Sequence, residues 1–145
     1  MTDLVKLAQR LHRKIKWQEV PEEVGWMDQI DLICDSIRKL YVISGRTFLF
    51  SEDKFIYDKE DVAVQFADNL EIDEIEWILL DAQIEFYKSV QSNVDDLTGY
   101  TTDAMAVTHS DRPYKNIGES INRLKGEQDV VWSRMVRFNQ LGVAD

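Results

Sequence analysis

The sequence predicts a mainly α fold, a helical bundle with a short β-hairpin insertion. Three observations carry that expectation. Apolar residues recur at i, i+3 and i+4 spacing along most of the chain, as amphipathic helices require. Proline and glycine are scarce, two and six in 145 residues, too few for a turn-rich all-β fold. The helical period breaks once, between Thr47 and Tyr57, where two short aromatic runs flank a polar tetrapeptide. The length suits one domain, residues 1–145, able to bury roughly two thirds of the surface its unfolded chain exposes. A hydrophobic fraction of 44% and four tryptophans argue against disorder.

The first helix is expected from Asp3 to about Gln18, with Leu4, Leu7, Ala8, Leu11 and Ile15 on its inner face. Val20-Pro21-Glu22-Glu23 breaks it and starts a second, since proline fits a first turn and glutamates suit the positive end of the helix dipole. Trp26, Ile30, Ile33, Ile37, Leu40 and Tyr41 give that helix its buried face, and Ser44-Gly45 ends it, with glycine in the left-handed cap position. Residues 1–45 thus form an N-terminal helical pair.

Thr47-Phe48-Leu49-Phe50 and Phe55-Ile56-Tyr57 are β-prone, and Ser51-Glu52-Asp53-Lys54 reads as the turn between them, a hairpin over 46–58. From 59 to 140 the reading is a helical core. Asp58 is expected to cap a short helix carrying Val62, Ala63, Phe66 and Ala67. A longer helix runs from about Glu71 to Ser92, with Ile72, Ile75, Leu79, Ala82, Phe86 and Val90 on one face. Trp77, Ile78, Ile84 and Tyr87 broaden that face enough to bury the helix on more than one side. A long, ordered loop is expected over 93–115. Asn116 followed by Glu119 forms a capping box for the last helix, whose stripe runs through Ile117, Ile121, Leu124, Val131, Met135 and Phe138, with Gln128 interrupting it.

The chemistry-bearing patterns are sparse, and the sequence points to no enzyme, no cofactor, no metal site and no catalytic residue. Gly99, Gly118 and Gly126 are too scattered for a phosphate-cradling loop. His12 sits among basic residues on a helix and reads as a surface or boundary side chain. His109 lies beside Ser110 and Asp111, but consecutive residues do not set a nucleophile, a base and an orienting acid in line. Asp68-Asn69-Leu70-Glu71-Ile72-Asp73-Glu74 lacks the glycine and the twelfth-position glutamate of a calcium loop, and reads as an acid-decorated helix start. Cys34 lies between Asp31 and Asp35 on an apolar face and reads as a small buried hydrophobe. A single cysteine fits a reducing compartment, and neither a signal-peptide core nor a membrane span is visible.

The net charge of −10 is unevenly spread. The first sixteen residues hold Lys6, Arg10, Arg13, Lys14 and Lys16 against Asp3, whereas Ser51–Gly99 holds fourteen acids against three lysines. Such an acidic centre disfavours sequence-specific or broad nucleic-acid binding. Opposite charge in different places on one chain suits subunits that associate with themselves, and equally suits an ordinary solvated surface.

Two clusters stand out as candidate interface. One is the aromatic hairpin, with Phe48, Phe50, Phe55 and Tyr57, whose faces either close over the helices or meet a neighbouring chain. The other is the long segment with Tyr100, His109, Arg112 and Tyr114, rich in the tyrosine and arginine that interfaces favour.

The helical N-terminal part, the hairpin, and two long helices joined by an extended segment resemble the small head-to-tail connector (adaptor or neck) proteins of tailed bacteriophages. The residues that carry the likeness are Ile72 to Val90, Tyr100-Thr101-Thr102-Asp103-Ala104-Met105 with Asp111-Arg112-Pro113-Tyr114, and Ile117 to Phe138. The resemblance implies a virion protein made in the host cytoplasm. It would form a ring with copies of itself and dock between portal and tail proteins, away from any membrane. DNA would pass through the lumen, which an acidic lining would keep from sticking. The alternative is a small cytosolic helical regulator that binds one protein partner.

Overall fold

The computed structural model describes residues 1–15, 26–100 and 117–136, with side chains assigned outside 26–28 and 90–100. Its architecture is mainly helical with a small sheet. Strand β1 (Thr2–Asp3) leads directly into helix α1 (Leu4–Lys14). Asp3 makes that junction, because its extended backbone ends the strand while its carboxylate accepts from Val5 N and Lys6 N to cap the helix. Leu4, Leu7, Ala8 and Leu11 are buried along the inner face.

Helix α2 (Trp26–Ile43) ends as its sequence demands. Gly45 takes φ +72°, Gly45 N donates to Val42 O and Arg46 N donates to Tyr41 O, the two bonds of a Schellman stop. The Arg46 guanidinium then lies 4.9 Å from the centre of the Tyr41 ring.

The hairpin differs from expectation. Thr47–Leu49 and Glu52–Lys54 are 3₁₀ turns, and Ser51 supplies the cap of the second, accepting from Asp53 N. The paired strands are β2 (Phe55–Tyr57) and β3 (Ala63–Phe66), so the segment expected as a short helix is the central strand of an antiparallel sheet ordered β1-β3-β2. Phe55 and Thr2 both pair with Phe66. Asp58 does use its carboxylate as expected, but on a hairpin turn: it accepts from Glu60 N and Val62 N, and Asp61 takes φ 59°. The same local bonds serve an N-cap and a turn, and a short apolar run fits both periods.

Helix α3 (Ile72–Tyr100) is the long central helix, and it carries on through residues 93–100, where a loop was expected. The remainder of that loop, 101–115, lies outside the described residues, as does the capping residue Asn116. Helix α4 (117–136) packs Ile117, Ile121, Leu124, Val131 and Met135 inward. Trp77, Ile78, Leu79, Leu80, Ala82 and Ile84 are all buried, so α3 is covered on more than one side as its broad apolar face implied. Ile72 is the exception: placed on that buried stripe by its spacing, it is 83% exposed.

A buried polar cluster ties three helices together. Asp81 of α3 accepts from Ser36 Oγ at 2.9 Å and from Lys39 Nζ at 3.0 Å, both on α2, and from Gln128 Nε2 of α4 at 3.2 Å. The glutamine that interrupts the α4 stripe is therefore the residue that reaches the carboxylate. Directional bonds of this kind fix helix register in a way that interchangeable apolar contacts do not.

Candidate interaction face

The C-terminus of α2, the following 3₁₀ turn, the N-terminus of α3 and the last turns of α4 meet around an open groove of about 1130 Å³. Ile43, Leu49, Leu70, Ile72, Trp132 and Met135 supply its apolar lining. The Schellman stop turns the chain sharply after Ile43, which sets Leu49 on the same wall. Ile43, Leu49 and Ile72 are 46, 48 and 83% exposed, and Val42 and Phe48, the neighbours of two of them, are 61 and 81% exposed. Five of the eight exposed large hydrophobics among the described residues thus line this groove or adjoin its lining residues in the chain, a concentration that marks a contact surface.

The polar groups at the groove are locked to one another. Tyr41 Oη donates to Asp68 at 2.6 Å, and Lys54 Nζ donates to the same oxygen at 2.8 Å. The lysine bond, with the tyrosine bond behind it, holds the Asp68 carboxyl below the usual carboxylate range. Burial and the adjacent carboxylate push the Tyr41 hydroxyl up. Arg46 donates to Glu74 at 2.6 Å, and the other oxygen of Glu74 accepts from Glu71 N at 3.1 Å, closing the first turn of α3. Thr2 Oγ1 donates to Asp68 O and accepts from Leu70 N, and the N-terminal ammonium donates to Asn69. With these donors and acceptors matched, the groove offers mainly apolar contact, and the exposed carboxylate of Glu71 on its wall has no ion pair among the described residues.

The predicted interface residues scatter. Phe48 is exposed beside the groove, and Tyr57, 53% exposed, stands on strand β2. Phe55 is buried with its ring 5.2 Å from Phe66, and Phe50 packs 5.5 Å from Tyr41 and 5.9 Å from Phe55. Phe50 and Phe55 therefore serve the core, because the chain folds this region onto its own helices. Tyr100 ends α3 with its side chain undescribed, and His109, Arg112 and Tyr114 lie outside the described residues. Ile43, Leu49, Ile72 and Trp132 were not among the predicted interface residues. The one local signal was Ile72 set between Glu71 and Asp73, an isoleucine flanked by acids at a helix start.

Cys34 is buried as expected, and burial, the main cause, pushes its thiol up to about 12. His12 is exposed and accepts from Gln29 Nε2 at 3.0 Å through Nδ1. Among the described residues no three His, Cys, Asp or Glu side chains are placed to hold a metal ion, and no helix is long and apolar enough to cross a membrane. No protein-family model, curated protein or solved structure matches the chain.

Proposed function

We propose that this chain works by binding other protein chains, as a structural protein of a tailed-phage virion. Its subunits would form a ring at the head-to-tail connector, docked between portal and tail proteins, with DNA passing through the lumen. The observation that supports an assembly role is the exposed apolar end of the bundle, where Ile43, Phe48, Leu49 and Ile72 face water beside the internally paired Tyr41, Arg46, Asp68 and Glu74. Leaving that surface bare costs about 25 cal/mol for each Å² that a partner would cover. The two long helices α3 and α4 give the connector reading its particular content.

Charge refines the picture. Glu52, Asp68, Asp73, Glu74, Glu76, Asp81 and Glu85 are engaged by cations of the same chain. Asp53, Asp58, Glu60, Asp61 and Glu71 are exposed and have no cation partner among the described residues, and the three that share the hairpin turn, Asp58, Glu60 and Asp61, form the group an acidic lumen would use. In a ring these would face the bore, and a ring with the turn on its outer rim contradicts the lumen assignment.

A second reading, a small cytosolic regulator that binds one protein partner, is favoured by the hairpin. Its strands pack on the chain's own helices through Phe55 and Phe66 instead of reaching outward, as a ring-forming arm would. Electron microscopy of the concentrated chain, alone and mixed with portal rings, separates the two. The connector reading expects closed rings of the chain or added density beneath the portal. Bare portals beside isolated small particles support the regulator.

A further inference from the structure

Ile72 forms a crest between two depressions. On one side lies the groove described above. On the other lies a smaller cleft of about 210 Å³, lined by Arg10, Lys14, Ile75 and Glu76. The two flanks differ in charge. On the groove side stand Asp68, Glu71, Asp73 and Glu74; Lys54, Arg134 and Arg46 engage all of these except Glu71, whose exposed carboxylate has no ion pair among the described residues. On the cleft side, Arg134 engages Glu76 at 2.8 Å, and the exposed Arg10 and Lys14 have no ion pair among the described residues.

We infer that this face is closed, in the free chain, by a second copy of the same chain through a twofold contact centred on Ile72. A twofold rotation about the crest brings the cationic flank of each copy over the acidic flank of the other, so that Arg10 and Lys14 meet the partner copy's Glu71 twice over. Such a patch is self-complementary, which is what an isologous contact requires. A chain of net charge −10 repels its copies in most orientations, and this face is one where the acids are either matched internally or opposed by cations. The centre is apolar: Ile72 of each copy is buried against the other, and the exposed Phe48, next to Leu49 on the groove wall, adds an aromatic of the kind that anchors interfaces. This rests on the self-association part of the reading above and not on the ring. A twofold pair is closed and has no polarity, so it describes the chain before it enters a polar assembly.

Sedimentation velocity on the full-length chain across concentration tests it, with circular dichroism to verify that each variant folds. The wild type pairs. Ile72→Asp, at an exposed position, weakens pairing about 100-fold or more, because it places two like charges at the centre of the contact. Arg10→Glu weakens it at least about 10-fold, and adding Glu71→Arg to that variant restores most of the loss, since the reversed charges still meet. Val130→Asp, on α4 outside both depressions and 60% exposed in the wild type, leaves pairing unchanged. A wild type at monomer mass throughout overturns both this contact and self-association of the free chain. Oligomers that Ile72→Asp leaves intact overturn this face while self-association stands. Loss in Arg10→Glu without recovery in the double variant overturns the twofold register.

Discussion

Replacing Asp81 with alanine should destabilise the bundle by about 3 kcal/mol, and the amount follows from which partners can find water afterwards. Asp81 is buried, with its side chain 7% exposed, and it accepts from Ser36, Lys39 and Gln128. Ser36 is 1% exposed, so its hydroxyl is left without a partner or solvent, a cost of about 1–3 kcal/mol. The Lys39 side chain is 42% exposed and keeps Glu85 at 3.3 Å, so its loss adds only about 0–1 kcal/mol. Gln128 is half-buried and turns outward at about 0.5–1 kcal/mol. Urea unfolding followed by tryptophan fluorescence, to which buried Trp77 contributes, reads the change directly, and a thermal scan should show the midpoint lowered by roughly 10 °C. Adding Ser36→Ala removes the orphaned hydroxyl, so the double variant should lose less than the sum of the singles. A loss below about 1 kcal/mol in Asp81→Ala, or strict additivity in the double, would show that the cluster does not hold the three helices in register.

Three further outcomes follow from particular residues. Gly45→Ala should cost about 1 kcal/mol for its φ of +72°, whereas Gly126→Ala, in α4 with open space around the added carbon, should stabilise by about 0.5–1 kcal/mol; opposite signs in denaturant melts check both. Cys34 in the folded chain should react with a thiol reagent at pH 8 at least about 100-fold more slowly than in urea, because burial raises its pKa to about 12. Asp68 has a depressed folded pKa, so its stabilisation is present above the ordinary carboxylate value and is lost as pH falls through the lower folded one. Tyr41 is raised, so its contribution holds below about pH 10 and is lost as pH climbs from there toward the folded value. Melts of Lys54→Met and Tyr41→Phe should flatten the acid and alkaline limbs respectively, and unchanged slopes would contradict the assignment.

How much was legible depended on how local each determinant is. The Asp3 cap and the Gly45 stop rest on bonds within a few residues, and both helix ends fall where the sequence put them. The broad apolar face of α3 announced its burial for the same reason: composition along one helix suffices. Ala63–Phe66 was not legible, because its spacing fits helix and strand alike, because its hairpin partner Phe55–Tyr57 was assigned to a pairing with Thr47–Phe50, and because its other partner Thr2 lies more than sixty residues away. Thr47–Phe50 has strand-like composition, but the Schellman turn before it and the Ser51 cap after it coil the chain instead. Exposure is a tertiary property: spacing placed Ile72 on the buried stripe, and the structure leaves it 83% exposed, while of the two roles open to the hairpin aromatics Phe55 takes the core. Gln128 read as a blemish in the α4 stripe because Asp81, forty-seven positions earlier, gives it its purpose.

The central claim is that this chain associates with copies of itself through the apolar end of its bundle. Light scattering on the purified full-length protein, across concentration and salt, tests it most directly. The account predicts a mass above 17.0 kDa that rises with concentration. A mass fixed at 17.0 kDa under every condition would contradict it.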